Sequence, residues 1–253
     1  MIYDICTYNR ESELFEIRHN ILKDFVDEFR VVEFDQTFSG RKKEKQFNQN
    51  WDKVKHYFIT EDIWSKYWEE AKKSPNTDYG KGAEHWLREW AMKESICDCL
   101  LDLDDDDIVF VGDTDEIWQH DAIYNDAPLK LKLRVYSYWL NNRSSEEFWG
   151  TLRAKYKDIK NECLNHLRTN TKKGLSEYGW HFTSQGGYEE VKRKLSDSYT
   201  EDSYWNPSVQ AHLEENMAQN RDFLGRDFTY TVDESEWPAY LQENRQKYKH
   251  LLK

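Results

Sequence analysis

Apolar residues recur at two spacings along this chain, and the switching between them sketches an α/β order. Met1 to Cys6 carries enough apolar character for a first strand. From Glu11 to Phe29, the residues Leu14, Ile17, Ile21, Leu22, Phe25, Val26 and Phe29 fall at intervals of three and four, the stripe of an amphipathic helix. Arg30 to Phe34 reads as a second strand. Thr60 to Leu101 has helical spacing, broken at Ser74-Pro75-Asn76 and Gly80-Lys81-Gly82, with Trp86, Leu87, Trp90, Ala91 and Cys97 as the apolar face of its second helix. Ile108-Val109-Phe110-Val111 is a continuous apolar run with three β-branched residues, as in a strand buried on both faces.

Leu129 to Val135 alternates Leu-Lys-Leu-Lys-Leu-Arg-Val, a half-exposed strand with one charged face. Tyr178 to Ser184 suits another strand, Gly186-Gly187 a turn, and Glu189 to Leu195 a short helix. Asn206-Pro207 opens a further helical stretch. Pro238 starts a C-terminal packing helix running to Leu252, because its fixed φ and missing N–H suit a first helical turn. The β-α-β opening, with the later helices and the strand at Ile108, predicts one α/β domain over residues 1–253, with a mainly parallel central sheet flanked by helices. Ligands of such sheets bind beyond the carboxyl ends of the strands, which would place Glu33 and Asp113 in one cleft. No linker rich in Pro, Gly or Ser divides the chain, and it shows no internal repeat.

A net charge of -12 argues against nucleic acid as a partner, since phosphate backbones are bound by basic surfaces. Arg41-Lys42-Lys43 and Lys192-Arg193-Lys194 are short basic clusters, suited either to solvent or to one anionic ligand. The 11 Trp and 16 Tyr offer faces for sugar C–H groups as readily as for core packing. No apolar run is long enough to span a bilayer. No signal-peptide pattern precedes Tyr3, so the chain is expected in the cytoplasm. Cys6, Cys97, Cys99 and Cys163 lack zinc-ligand spacing and read as free thiols. The acidic run Asp102 to Asp107 lacks the glycine and distal Glu of an EF-hand and reads as a turn.

Chemistry concentrates where the run at Ile108 ends, in Gly112-Asp113-Thr114-Asp115-Glu116-Ile117. Asp113 and Asp115 are two apart, so in extended backbone both carboxylates would point to one side. Paired carboxylates hold a hard divalent cation, which can bind a diphosphate. A solvated turn would carry the same residues.

Several segments together resemble the β-1,4-mannosyl-glycoprotein 4-β-N-acetylglucosaminyltransferases, glycosyltransferase family 17. They are Glu13-Leu14-Phe15-Glu16-Ile17-Arg18, Val31-Val32-Glu33-Phe34, Thr37-Phe38-Ser39-Gly40-Arg41-Lys42-Lys43, Asp113-Thr114-Asp115-Glu116-Ile117, Gly179-Trp180-His181-Phe182-Thr183 with Gly186-Gly187, and Trp237-Pro238-Ala239-Tyr240. The resemblance implies a GT-A-like, Rossmann-like fold, a UDP-sugar donor, UDP-GlcNAc in particular, and inverting transfer to a glycan or polysaccharide acceptor with Mn2+ or Mg2+ as cofactor. Two positions depart from the pattern. Lys93 stands where the family tends to carry Arg, keeping the charge without the bidentate fork, and Ser198-Tyr199 stands where many members have Ser-His.

On that resemblance, Asp113, Asp115 and His181 are the expected metal ligands, with Asp113 also close to the donor. Glu33, Arg41, Lys43, Arg88 and Lys194 are candidate donor contacts. Glu189, then Glu190, is the candidate base, following a glycine turn at a helix start. Trp180 and Tyr188 are candidate acceptor platforms. Each has an ordinary alternative: a strand end for Glu33, surface charge for the basic residues, helix-dipole pairing for Glu189 and Glu190, and core packing for His181 and Trp180. Two other functions fit paired carboxylates or excess aromatics: a metal-dependent nucleotidyltransferase or phosphohydrolase, and a non-catalytic glycan-binding module.

Overall fold

The computed structural model describes residues 1–48, 50–73, 84–125 and 128–253. The predicted breaks at Ser74-Pro75-Asn76 and Gly80-Lys81-Gly82 lie outside them. The chain opens with β1 (Ile2–Tyr8), α1 (Ser12–Leu22) and β2 (Glu28–Phe34). The predicted first helix thus ends at Leu22, and Phe29 belongs to the next strand. Then follow β3 (Val54–Ile59), α2 (Glu61–Trp64), α3 (Trp68–Lys73) and α4 (Glu84–Glu94). The apolar run becomes β4 (Ile108–Asp113), and β5 (Glu116–Trp118) starts after two intervening residues.

The second half contains β6 (Leu129–Ser137), β7 (Asn142–Lys155), α5 (Leu164–Asn170), β8 (Lys173–Thr183) and α6 (Gly187–Ser198). It closes with α7 (Pro207–Ala218), β9 (Tyr230–Val232) and α8 (Ala239–Glu243). Asn206 caps α7, its side chain accepting from Val209 N at 3.1 Å, with Pro207 in the first turn as predicted. The C-terminal helix is much shorter than predicted, and a separate 3-10 turn covers Lys249–Leu251.

The strands form one sheet in the order β3-β2-β1-β4-β7-β6-β8-β5, with β9 on β7. Its first four strands are parallel, but β7 runs antiparallel to β4 and β6, and β5 antiparallel to β8. The sheet is therefore mixed, which corrects the expectation of a mainly parallel one. The cause is β7, a strand with no apolar alternation to announce it.

Helices cover the parallel half on two sides. Val109 and Val111 pack with Trp90, Ala91 and Met92 of α4, whereas Phe110 between them packs with Leu14, Ile17 and Leu22 of α1. That alternation is the two-residue period of a strand buried on both faces. All four cysteines are free thiols. Among the described residues no helix is long and apolar enough to cross a membrane.

Candidate active site

The site is built where β1 and β4 end side by side. Thr7 and Asp113 are register partners, and Thr7 Oγ1 donates to Asp113 Oδ1 at 2.7 Å. The chain then turns at Thr114-Asp115 and enters β5, where Glu116 pairs with His181 of β8. Arg18, fully buried on α1, secures the turn from below. It donates to the carbonyls of Asp113 (2.9 Å) and Glu116 (2.7 Å) while making a bidentate pair with buried Asp4 at 2.7 and 2.6 Å.

Each acidic side chain of the turn has a protein cation beside it. Lys93 Nζ lies 3.2 Å and Arg168 Nη2 3.4 Å from Asp113 Oδ2. Burial would raise the Asp113 carboxyl, but these cations hold it far below the usual carboxylate range. Lys194 Nζ lies 2.5 Å and His181 Nε2 3.6 Å from Asp115 Oδ2, with the same outcome. Glu116 goes the other way. Its burial and the neighbouring Asp113 charge raise it. It lies in a space kept open by two glycines: a Cβ on Gly112 would come within 2.6 Å of Glu116 Oε2, and one on Gly150 within 2.6 Å of its Cδ.

Three adjoining hollows meet around this turn. The first, about 250 Å3, runs from Thr7–Asn9 past Gln36–Phe38 to Lys194 and Tyr199, and contains Asp113, Asp115 and Glu116. The second, about 300 Å3, lies between α4, α5 and β7 and is walled by Trp86, Trp90, Phe148 and Trp149. Glu89, Lys93, Asp113, Glu116 and Phe148 line both. A third, about 170 Å3, adjoins the first at His181, Lys194 and Tyr199.

The structure brings together only part of the predicted set. Asp113, Asp115, His181, Lys43 and Lys194 line the first hollow. Glu33 does not; it is buried and accepts from the backbone N–H groups of Gln46 (2.9 Å) and Phe47 (3.0 Å), with Lys43 at 3.5 Å and His56 at 3.2 Å. Arg41 pairs with Asp197, and Arg88 with Glu84 and the Phe38 carbonyl. Neither lines any of these three hollows. Glu189 and Glu190 are exposed in the first turn of α6, Glu190 pairing with Arg193, whereas the first hollow meets α6 at Lys194, Asp197 and Ser198. Trp180 is buried, donating to the Glu236 carbonyl at 2.7 Å, and Tyr188 packs beside Val191 and Leu195. Tyr199, noted as a departure, lines the first hollow.

Three residues of this arrangement were not among the expected site residues. Arg18 lay in plain view as a charged residue four after Leu14, on the apolar stripe. Glu89 and Arg168 carried no comparable signal, because only the packing of α4 and α5 brings them to the turn.

The metal ligands can be tested against this geometry. Asp115 Oδ2 and His181 Nε2, 3.6 Å apart, are two donors that one divalent cation could share, and Lys194 Nζ lies 2.5 Å from the same Asp115 oxygen. Asp113 faces Thr7, Lys93 and Arg168 instead. Among the described residues no three His, Cys, Asp or Glu side chains converge as a metal group.

Comparison with curated proteins finds no match. The sequence model of glycosyltransferase family 17 matches residues 1–189, a span holding the acidic turn, α4, α5 and His181. The protein is a glycosyltransferase of the N-acetylglucosaminyltransferase-like kind, and the chain belongs to glycosyltransferase family 17.

Proposed function

We propose that the protein transfers GlcNAc from UDP-GlcNAc, with inversion, to a glycan hydroxyl, aided by Mn2+ or Mg2+. The observation that carries this reading is the meeting of two hollows on one set of side chains, Glu89, Lys93, Asp113 and Glu116. The first hollow lies beyond the carboxyl ends of parallel strands, where nucleotides bind in open α/β sheets. The second sets aromatic walls beside polar and charged side chains, a combination that suits the C–H faces and hydroxyls of a sugar. Donor and acceptor would then face each other across the shared set.

Lys194, Lys93 and Arg168 are placed to offset negative charge developing on a departing diphosphate, and in a sheltered cavity such fixed charges act more strongly than in water. A divalent ion held by Asp115 with His181 would add Lewis-acid stabilisation of the same leaving group. An inverting transfer also needs a carboxylate to take the acceptor proton. Glu89 is our candidate in place of Glu189 and Glu190, because it lines both hollows and its side chain remains accessible beside Lys93 at 2.8 Å.

The test is thermal melting with UDP, GDP and CMP, with and without Mn2+, on wild type and Asp115→Asn, followed by transfer assays with UDP-GlcNAc. A ligand at a hundredfold its dissociation constant adds about 2.7 kcal/mol of stability. A Mn2+-dependent UDP shift that Asp115→Asn abolishes, together with UDP release, supports the proposal. Absence of any nucleotide shift favours a glycan-binding module, and phosphate transfer or cleavage favours phosphoryl chemistry. Glu89→Gln should cut turnover about 10²–10⁴-fold, the range for lost general-base catalysis, without removing the UDP shift.

A further inference from the structure

In the second hollow three carboxylates pair with two of the three cationic side chains that line it. Glu89 is paired with Lys93, and Asp113 and Glu116 with Lys93 and Arg168. Lys130 remains. It lines the hollow, yet no described carboxylate lies within 4 Å of its ammonium. Its register partner on the neighbouring parallel strand is another lysine, Lys173, which also has no described carboxylate within 4 Å. Lys173 sits over the Trp149 ring at 4.2 Å, and Trp149 is a wall of the hollow.

Like charges on paired strand positions destabilise a sheet. Here the pair flanks a tryptophan: Lys130 lines a cavity containing Arg168, and Lys173 is exposed over the Trp149 ring. Burial and the nearby Arg168 guanidinium push the Lys130 ammonium below the usual lysine range against the opposing pull of Glu116, so its charge is incompletely compensated. An anion placed there would offset it. The indole offers an apolar face for the ring carrying that anion.

Resting on the acceptor reading of this hollow, we propose that the acceptor is an acidic sugar, whose anionic substituent is held by Lys130 and Lys173 while its ring lies against Trp149. The substituent is a carboxylate, as in a uronic acid, or a phosphate ester. Both present oxygens that an ammonium can bind by charge-assisted hydrogen bonds.

Saturation-transfer NMR with glucose, glucuronic acid and glucose 6-phosphate tests this on the 253-residue protein without nucleotide, since the three differ only at the C6 substituent. At least one anionic probe should bind about tenfold more tightly than glucose, roughly the effect of one charge-assisted bond, and the preferred probe identifies the anion. Lys130→Met should erase the preference, and Lys130→Arg should retain most of it. Both variants should keep the wild-type UDP melting shift, which reports the first hollow. Equal binding of all three probes, binding of none, or a preference that survives Lys130→Met would overturn the proposal. If UDP gives no shift but the acidic preference depends on Lys130, the donor reading fails while the acidic-sugar site stands.

Discussion

The carbonyls of Asp113 and Glu116 converge on a guanidinium that is itself out of water. Arg18 therefore shapes the acidic turn without lining its cavity, and its charge is balanced by Asp4, which also accepts from Trp118 Nε1 at 2.7 Å. Removing one member of a buried pair leaves the other charge stranded, typically at 3–5 kcal/mol. Arg18→Met should lose about that much in urea unfolding. The double variant Asp4→Leu/Arg18→Met should regain most of the loss but leave the turn unheld, so its UDP shift stays weak. Recovery of both stability and nucleotide binding would remove Arg18 from the positioning role. Glu33 offers a second test at this scale. Burial alone would raise its carboxyl, but hydrogen bonds from His56, Phe47 and Gln46 and the Lys43 charge hold it below the usual range. A depressed folded value gives stability that is complete above the unfolded value of about 4.3 and lost as pH falls through the folded value. The wild-type melting temperature should therefore fall more steeply below about pH 4.3 than that of Glu33→Gln; parallel acid limbs would exclude this contribution.

At the scale of elements, the short strand β5 decides whether Glu116 meets His181. Gly179 permits its pairing with β8. It sits at φ +149°, and a Cβ there would lie 2.1 Å from the Ile117 carbonyl oxygen, a contact the two backbones must part to relieve. Gly179→Ala should cost about 1–3 kcal/mol, as overpacking does, and should speed amide hydrogen exchange across Glu116–Trp118 while β1 and β4 stay protected. Unchanged exchange in β5 would show that the sheet absorbs the methyl elsewhere. The same elements explain how much could be read in advance. The strands β1, β2, β4, β6 and β8 announce themselves by apolar runs or alternation. In β7 the buried positions include Asn142, Ser144, Thr151 and Arg153, so its polar residues face inward, and the hydrophobic pattern that marks a strand is missing. Missing β7 made the sheet look parallel. The acidic turn was legible because it directly ends a strong apolar run. Glu89, Lys130 and Arg168 meet only because α4, α5 and β6 pack together, and no local spacing encodes that.

Over the whole molecule, the question is how the chain after residue 189 joins the part that the family model spans. It supplies Lys194 to Asp115, and its last segment completes a core begun at the other end of the sequence. Trp237, Leu241, Tyr248 and Leu251 are buried with Phe29, Phe110 and Trp118, while α8 packs against α1. The ion pairs Lys247–Glu16 and His250–Glu13 decorate that contact at the surface, where such pairs add little. Apolar burial is the larger effect. At about 1.5–3 kcal/mol for each buried side chain, four of them amount to roughly 6–12 kcal/mol, comparable to the 5–15 kcal/mol that typically separates folded from unfolded protein. The same residues cover the side of the sheet on which Arg18 and Trp118 support the acidic turn. Deleting residues 236–253 should therefore abolish cooperative unfolding at 25 °C, with loss of the near-ultraviolet signal from packed tryptophans and of any UDP-dependent stabilisation. A truncated protein that melts cooperatively near the temperature of the full chain, and still responds to UDP, would show that the segment is an appendage and that the turn is supported by α1 alone.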